Sequence, residues 1–390
     1  MTKTIALLSG KGGSGKTTIA LSMASLLAKC EIKTILIDCD FSTNGASFFY
    51  ESKLVPNNYV SFFDVMTNNN LGKDFIKINP FLSFVPSFSN LSNAILSSCN
   101  YDEDDAERIS NLIEKISTQF DVCIFDCQAG YTDLLSYLLP NINETLFVME
   151  ADAISSAAIR TLHLKIGEKL NNYKSYQIFN KATPEEYEIY NKISGGTFFT
   201  NIETVLFDWK IRKAFALSEV PDMENTSIQY GLQLLNICNV LFKEDIYRNK
   251  LKMFENNLKM HSLLEKKENV NKKLQLLNIE EKRNKITFFK NITLLFSFSS
   301  LFIFILFLFH MIKERPFSND FDIFSLILAS ISILLSSFFV ITSITKDKNR
   351  DSNIGVIKTL ELELEDIEED IKKMKFEDNN PKPNNNINQS

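Results

Sequence analysis

Between Gly10 and Thr17 the chain reads "GKGGSGKT", a run whose residue types suit one task, holding a chain of phosphates. Gly10, Gly15, Lys16 and Thr17 satisfy the P-loop spacing, in which backbone N–H groups cradle phosphate oxygens and a lysine reaches the β- and γ-phosphates. The Thr17 hydroxyl is the expected Mg²⁺ ligand, and Gly12, Gly13, Ser14, Gly15, Lys16, Thr17 and Thr18 form the expected binding run. Such a site also needs carboxylates at the tips of neighbouring strands. Asp126 ends the apolar run "DVCIFD" and is a candidate metal carboxylate, while Asp38 and Asp40 end "ILIDCD". Asp40 would emerge just past the sheet, where it could orient or deprotonate an attacking water, and it is a further candidate metal ligand. Each aspartate alone could equally cap a helix. A second lysine, Lys11, lies inside the same loop and is not required by the P-loop pattern.

Positioning these groups requires strands that end at one edge and helices that start there. "KTIALLS" (3–9), "KTILIDCD" (33–40), "FLSFVPS" (81–87), "DVCIFDC" (121–127), "ETLFVME" (144–150) and "YQIFN" (176–180) are short apolar, β-rich runs. Helical patterns fall at 16–29, 104–119 and 153–170. This alternation predicts an α/β fold with a doubly wound, mostly parallel sheet over residues 1–242. Apart from 81–87, the segment 41–100 shows no clear element.

From 243 to 285 the chain becomes charged and free of glycine and proline, and Leu251, Phe254, Leu258, Leu263, Val270, Leu274 and Leu277 recur at helical spacing. A long amphipathic stalk helix is expected there. Ile292–Ile312 and Ile323–Ile344 contain no Asp, Glu, Lys or Arg, and each has the length to cross a bilayer. A buried helix is the other reading of a single run. Two in succession predict a hairpin with spans at 286–312 and 323–345 and an external loop at 313–322. Basic residues flank both runs, so the ATPase domain and both termini are expected in the cytoplasm, at the cell (inner or plasma) membrane. Leu360, Leu364, Ile367, Ile371 and Met374 step by three and four, predicting a short heptad helix at 346–376 that pairs with the stalk or with another subunit. The tail 377–390 is low-complexity.

Composition narrows the function classes. Residues 1–242 hold 19 Lys and Arg against 27 Asp and Glu, which weighs against direct DNA binding by that half. The six cysteines make no metal-ligand framework and read as reduced core residues. No signal-peptide pattern opens the chain.

The loop with Lys11 resembles the deviant Walker A motif of ParA/MinD-family P-loop ATPases. "DCDFSTNGAS" (38–47) is similar to that family's first switch, although Phe41, Ser42 and Thr43 depart from it, and "FDCQAG" (125–130) is similar to its Walker B and second switch. The resemblance implies ATP and Mg²⁺ as cofactors and Asp40 as the hydrolytic aspartate. It implies that Asn180, in "IFNK", reads the adenine edge, and that 207–221 lies along the base. It also implies that Lys11 crosses to the nucleotide of a second subunit in an ATP-sandwich homodimer. The expected function is therefore a membrane-anchored ATPase switch that controls a protein partner whose identity no motif reveals. An ATPase-controlled effector that perturbs the bilayer is the alternative. A tyrosine kinase fits less well, because 345–390 lacks tyrosine, and a DNA-partitioning ATPase is opposed by the charge.

Overall fold

A computed structural model describes residues 2–53, 59–68, 71–88, 104–170, 174–192, 199–221, 226–312, 338 and 354–375. It divides into two compact units, 1–259 and 260–390.

The first unit is built on one eight-stranded sheet. Its strands are β1 (Lys3–Leu8), β2 (Thr34–Cys39), β3 (Ile76–Asn79), β4 (Leu82–Val85), β5 (Val122–Cys127), β6 (Glu144–Glu150), β7 (Lys174–Ala182) and β8 (Thr200–Leu206). They lie in the order β3-β4-β2-β5-β1-β6-β7-β8, and every neighbouring pair is parallel except β3 with β4. β2 and β5 are buried at every position, the uninterrupted apolar pattern of a strand covered on both faces. The helices are α1 (Lys16–Lys29), α2 (Gly45–Phe49), α3 (Phe62–Asn68), α4 (Asp105–Ser117), α5 (Leu134–Leu138), α6 (Ala153–Leu170), α7 (Pro184–Lys192), α8 (Trp209–Ala216) and α9 (Ile228–Leu241). Two apolar clusters form the core. One joins α1 and α9, with Leu251 buried among them, and the other joins α4, α5 and α6.

The sheet order carries the function. β1 sits between β5 and β6, so the loop leaving β1 is flanked by the tips of both strands. β2 lies on the far side of β5, in a register that places Asp38 beside Asp126. Elements that the sequence pattern did not mark include α2, α3 and β3 within 41–100, and β8 at the opposite edge.

The second unit contains the greater part of α10 (Asp245–Ile312) and a helix α11 at 354–375. Val270, Leu360, Ile367 and Ile371 are buried together, flanked by Met260, Leu263, Leu274, Leu277 and Leu364. Lys267 Nζ lies 2.9 Å from a Glu368 carboxylate oxygen. The heptad leucines and isoleucines of α11 therefore meet the stalk helix of the same chain. Among the described residues no helix is long and apolar enough to cross a membrane. The expected second span and the external loop lie outside the described residues except for Phe338, as do several side chains of the first run and the tail 377–390.

Candidate functional site

The loop between β1 and α1 needs backbone that only glycine adopts without strain. Gly13 and Gly15 have φ of 84° and 89°, the left-handed region. A Cβ on Gly15 would also lie 2.2 Å from the Asn180 amide nitrogen. Asn180 sits near the end of β7 and donates through Nδ2 to the Ser14 carbonyl at 2.9 Å, so the tip of β7 braces the loop. Lys181 follows in a left-handed conformation, φ 61°, and its ammonium bonds the Gly13 carbonyl and a Glu150 oxygen, the latter at 2.9 Å.

Lys16 opens α1 and points inward. Its Nζ donates to Asp126 Oδ1 at 2.7 Å, and the pair is almost wholly buried. Burial pulls the Lys16 ammonium down, but the Asp126 charge and hydrogen bond outweigh it and hold the group above its ordinary value. The second oxygen, Asp126 Oδ2, is buried without a hydrogen-bond partner, and so is Ser9 Oγ. A buried carboxylate oxygen without a donor is costly, and it fits a site that a cation or its water completes. Asp38, alongside, is fully buried and well above the ordinary carboxylate range, first through desolvation and then through the Asp126 charge. Its oxygens accept from Ser47 N at 2.8 Å, Ser47 Oγ at 2.7 Å and Asp40 N at 3.0 Å.

Asp40 is held by its own loop. Oδ1 accepts from Ser42 N (3.0 Å), Ser42 Oγ (2.6 Å) and Thr43 N (3.0 Å), and Oδ2 accepts from Thr43 Oγ1 at 2.7 Å. Burial would raise its pKa, but the Ser42 and Thr43 donors and the Lys16 charge outweigh that and keep it below the ordinary value. Asp40 is thus charged at neutral pH and aimed by neighbours within three residues.

Lys11 behaves differently from Lys16. Its Nζ lies 3.0 Å from Glu150 Oε2 and 3.1 Å from Asp152 Oδ2, just beyond β6, with the side chain one-third exposed. The hydrogen bonds it donates to Glu150 and then to Asp152 raise its pKa. Asp152 caps α6, accepting from Ser155 N at 2.7 Å, and this bond first, then the Ser155 hydroxyl and Lys11, bring its pKa down to about 2.

The loop faces a cavity of about 570 Å³. Gly12, Gly13, Ser14, Gly15, Lys16, Thr17, Thr18, Asp40 and Asn180 all line it, whereas Asp126 lies beneath it under Lys16 and Lys11 stands at the side. The far wall comes from Leu206 at the end of β8 and from Phe207, Ile211, Arg212 and Phe215 of the segment that resembles the base-binding stretch. Asp208 caps α8 there, accepting from Lys210 N at 2.7 Å and from Ser227 N at 2.7 Å, which ties that wall to α9. Phosphate cradle, metal-ready carboxylate and apolar far wall together suit a nucleoside triphosphate with a divalent cation. Thr17 and Asp126 would hold the metal, whose chemistry there is neutralisation of phosphate charge. Sequence reasoning missed Glu150, Asp152 and Lys181 as members of the site. For Glu150 and Asp152 the signal was an acidic strand end that the sheet order places next to β1, while Lys181 follows Asn180 in the "IFNK" strand end.

Comparison with known proteins agrees with this geometry. A family described as an AAA domain matches residues 2–178. The septum site-determining protein MinD of Synechocystis sp. is 28% identical over 258 residues, 63% of this chain and 91% of that protein. The chromosome partitioning protein ParA of Myxococcus xanthus is 26% identical over 125 residues, covering 32% of this chain and 43% of its own. Among solved structures, a plasmid partition protein from Borrelia burgdorferi bound to AMPPNP aligns with TM-score 0.52 at 17% identity, over 62% of this chain and 99% of that one. MinD of Aquifex aeolicus in its complex with MinC aligns with TM-score 0.50 at 17% identity, over 63% and 97%. Over its N-terminal domain the chain is similar to MinD and ParA proteins, and the site it builds is that of a P-loop ATPase using ATP and Mg²⁺.

Proposed function

We propose that this ParA/MinD-type ATPase is a dimerising switch. ATP bound between Lys16 and the β7 tip brings two domains together, Lys11 closes the sandwich on the partner's phosphates, and hydrolysis aided by Asp40 opens it. The observation that carries this reading is the position of Lys11. It does not line its own cavity and stands one-third exposed beside it on two carboxylates, a contact that water and salt weaken. A lysine placed there is available to a phosphate arriving from outside the chain. Asp40 is charged and already oriented, as a residue handling the attacking water must be.

The switch acts on a protein partner and controls its position or assembly, in keeping with relatives that include a septum site-determining protein and partitioning proteins. The MinD of Aquifex aeolicus, solved with MinC, is an example of a related domain with a protein partner. The apolar runs 292–312 and 323–344 support anchoring at the cell membrane with the ATPase domain in the cytoplasm. Molecules confined to one surface would meet at a raised effective concentration. Sedimentation of the full-length protein with ATP, ADP or no nucleotide tests the switch: ATP alone should give the dimer. A sedimentation coefficient indifferent to nucleotide would refute it. Carbonate extraction of membranes tests the anchor, since a protein released into the supernatant has no spans.

A further inference from the structure

Asp40 is aimed entirely by the loop that carries it, so whatever holds that loop sets the geometry of hydrolysis. Residues from 59–68 and 71–88 grip it on both sides.

On one side is Phe41, the residue directly after Asp40. Its ring stacks on Phe62 with centroids 5.6 Å apart and 17° between planes. It also meets Phe63 edge-on at 6.1 Å and Phe88 at 5.3 Å. Phe63 and Phe88 in turn lie 5.0 Å apart, and Phe62 and Phe88 are fully or almost fully buried. This aromatic socket is rigid because its parts are bonded together. Phe62 N donates to the Pro86 carbonyl at 2.8 Å and Phe63 N to the Ser87 carbonyl at 2.9 Å, fastening the start of α3 to the stretch after β4.

On the other side is a chain of polar contacts. Ser87 Oγ donates to Asn44 Oδ1 at 2.7 Å, and Ser87 N donates to Ser47 Oγ at 3.0 Å. Ser47 Oγ in turn donates to Asp38 Oδ2 at 2.7 Å. Asn44 has a left-handed backbone, φ 52°, which for a non-glycine residue is maintained by its surroundings. Ser87 and Phe88 are adjacent, so one short stretch grips the loop at both of its ends. Ser42 and Thr43, the donors to Asp40, are exposed between those grips.

The geometry points to Phe41 and Ser87 as positioning residues for ATP hydrolysis: the 59–88 segment holds the loop from Asp40 to Ser47 in the conformation that orients the Asp40 carboxylate. This rests on the reading of Asp40 as the hydrolytic aspartate. It also gives a role to a segment whose sequence shows little regular pattern. Neither Phe41 nor Ser87 lines the cavity that holds the phosphate cradle at Gly12–Thr18, so binding and turnover should separate when they are changed.

The test is steady-state ATPase kinetics of the full-length protein beside an equilibrium measurement of ATP affinity, for Phe41→Ala, Phe41→Tyr, Ser87→Ala, Asp40→Ala and Leu112→Ala. Leu112 is buried on α4 in the same core cluster and serves as the control for general loss of packing. Phe41→Ala should lower kcat by on the order of ten- to a hundredfold, the scale expected when a reacting group is displaced by about an ångström, with ATP affinity within about twofold. Ser87→Ala, which keeps the core intact, should lower kcat in the same direction, and Phe41→Tyr should recover it. Leu112→Ala should lower the melting temperature without lowering kcat. Native kcat in both Phe41→Ala and Ser87→Ala, with Asp40→Ala inactive, overturns the positioning role and leaves Asp40 standing. Equal losses of kcat in Leu112→Ala and Phe41→Ala overturn it as well. An Asp40→Ala protein that hydrolyses ATP at the native rate overturns the reading of Asp40, and this inference with it.

Discussion

Two lysines five residues apart in one loop end in opposite surroundings. At the tip of β5, Lys16 and Asp126 form a desolvated pair with water excluded. At the tip of β6, Lys11 rests on Glu150 and Asp152 in contact with solvent. The difference is one of commitment. A buried pair cannot lose one partner without stranding the other's charge in low dielectric. A partly exposed pair exchanges its partner for water at little expense. The β5 side therefore acts as the fixed part of the site and the β6 side as the part free to change hands.

Several changes would break or sharpen that contrast. Asp40→Ala, which removes the oriented carboxylate on the fixed side, should lower kcat by roughly 10²–10⁴-fold with ATP still bound, as single-turnover kinetics would show. Lys16→Ala should weaken ATP affinity by roughly a hundredfold, the loss of a charge-assisted contact in a desolvated site, measurable by titration calorimetry. The glycines divide in the same way. Gly15→Ala forces a side chain into φ 89° and into Asn180, and should destabilise the domain by about 1–3 kcal/mol in thermal or urea unfolding. Gly12, beside Lys11, has open space around its Cβ position, and Gly12→Ala should unfold like the native protein.

The smallest effect belongs to Asp152. Its folded pKa of about 2 lies below the unfolded value, so the stability it contributes is present above pH 4 and is lost as pH falls toward 2. Asp152→Asn should flatten that part of a stability-against-pH curve, modestly because the group is exposed. A curve unchanged by the substitution would remove Asp152 from the β6 cluster.

Much of this was legible in the residues. The central strands announce themselves because a strand buried on both faces must be continuously apolar, and "TILIDC" and "VCIFDC" are. Edge strands carry no such mark. β3 is four residues long and half exposed, and β8 is only partly buried along its first half, so neither stands out from its surroundings. The phosphate loop was legible for a similar reason, since its chemistry is local. The partners of Lys11 were not, because Glu150 and Asp152 are some 140 residues away and meet it only through the position of β1 beside β6. Phe41 was visible as a departure from the switch resemblance. Its meaning required the distant aromatics of α3 and Phe88.

The claim that Lys11 serves another subunit's nucleotide is tested most directly by mixing two inactive proteins. Lys11→Ala keeps Asp40 in its own site, and Asp40→Ala keeps Lys11. If Lys11 acts across the interface, a mixed dimer contains one site with both groups, and ATPase activity should reappear on mixing while each variant alone stays near background. If Lys11 acts within its own chain, every site in the mixture lacks one of the two groups, and a mixture that remains at background would contradict the account.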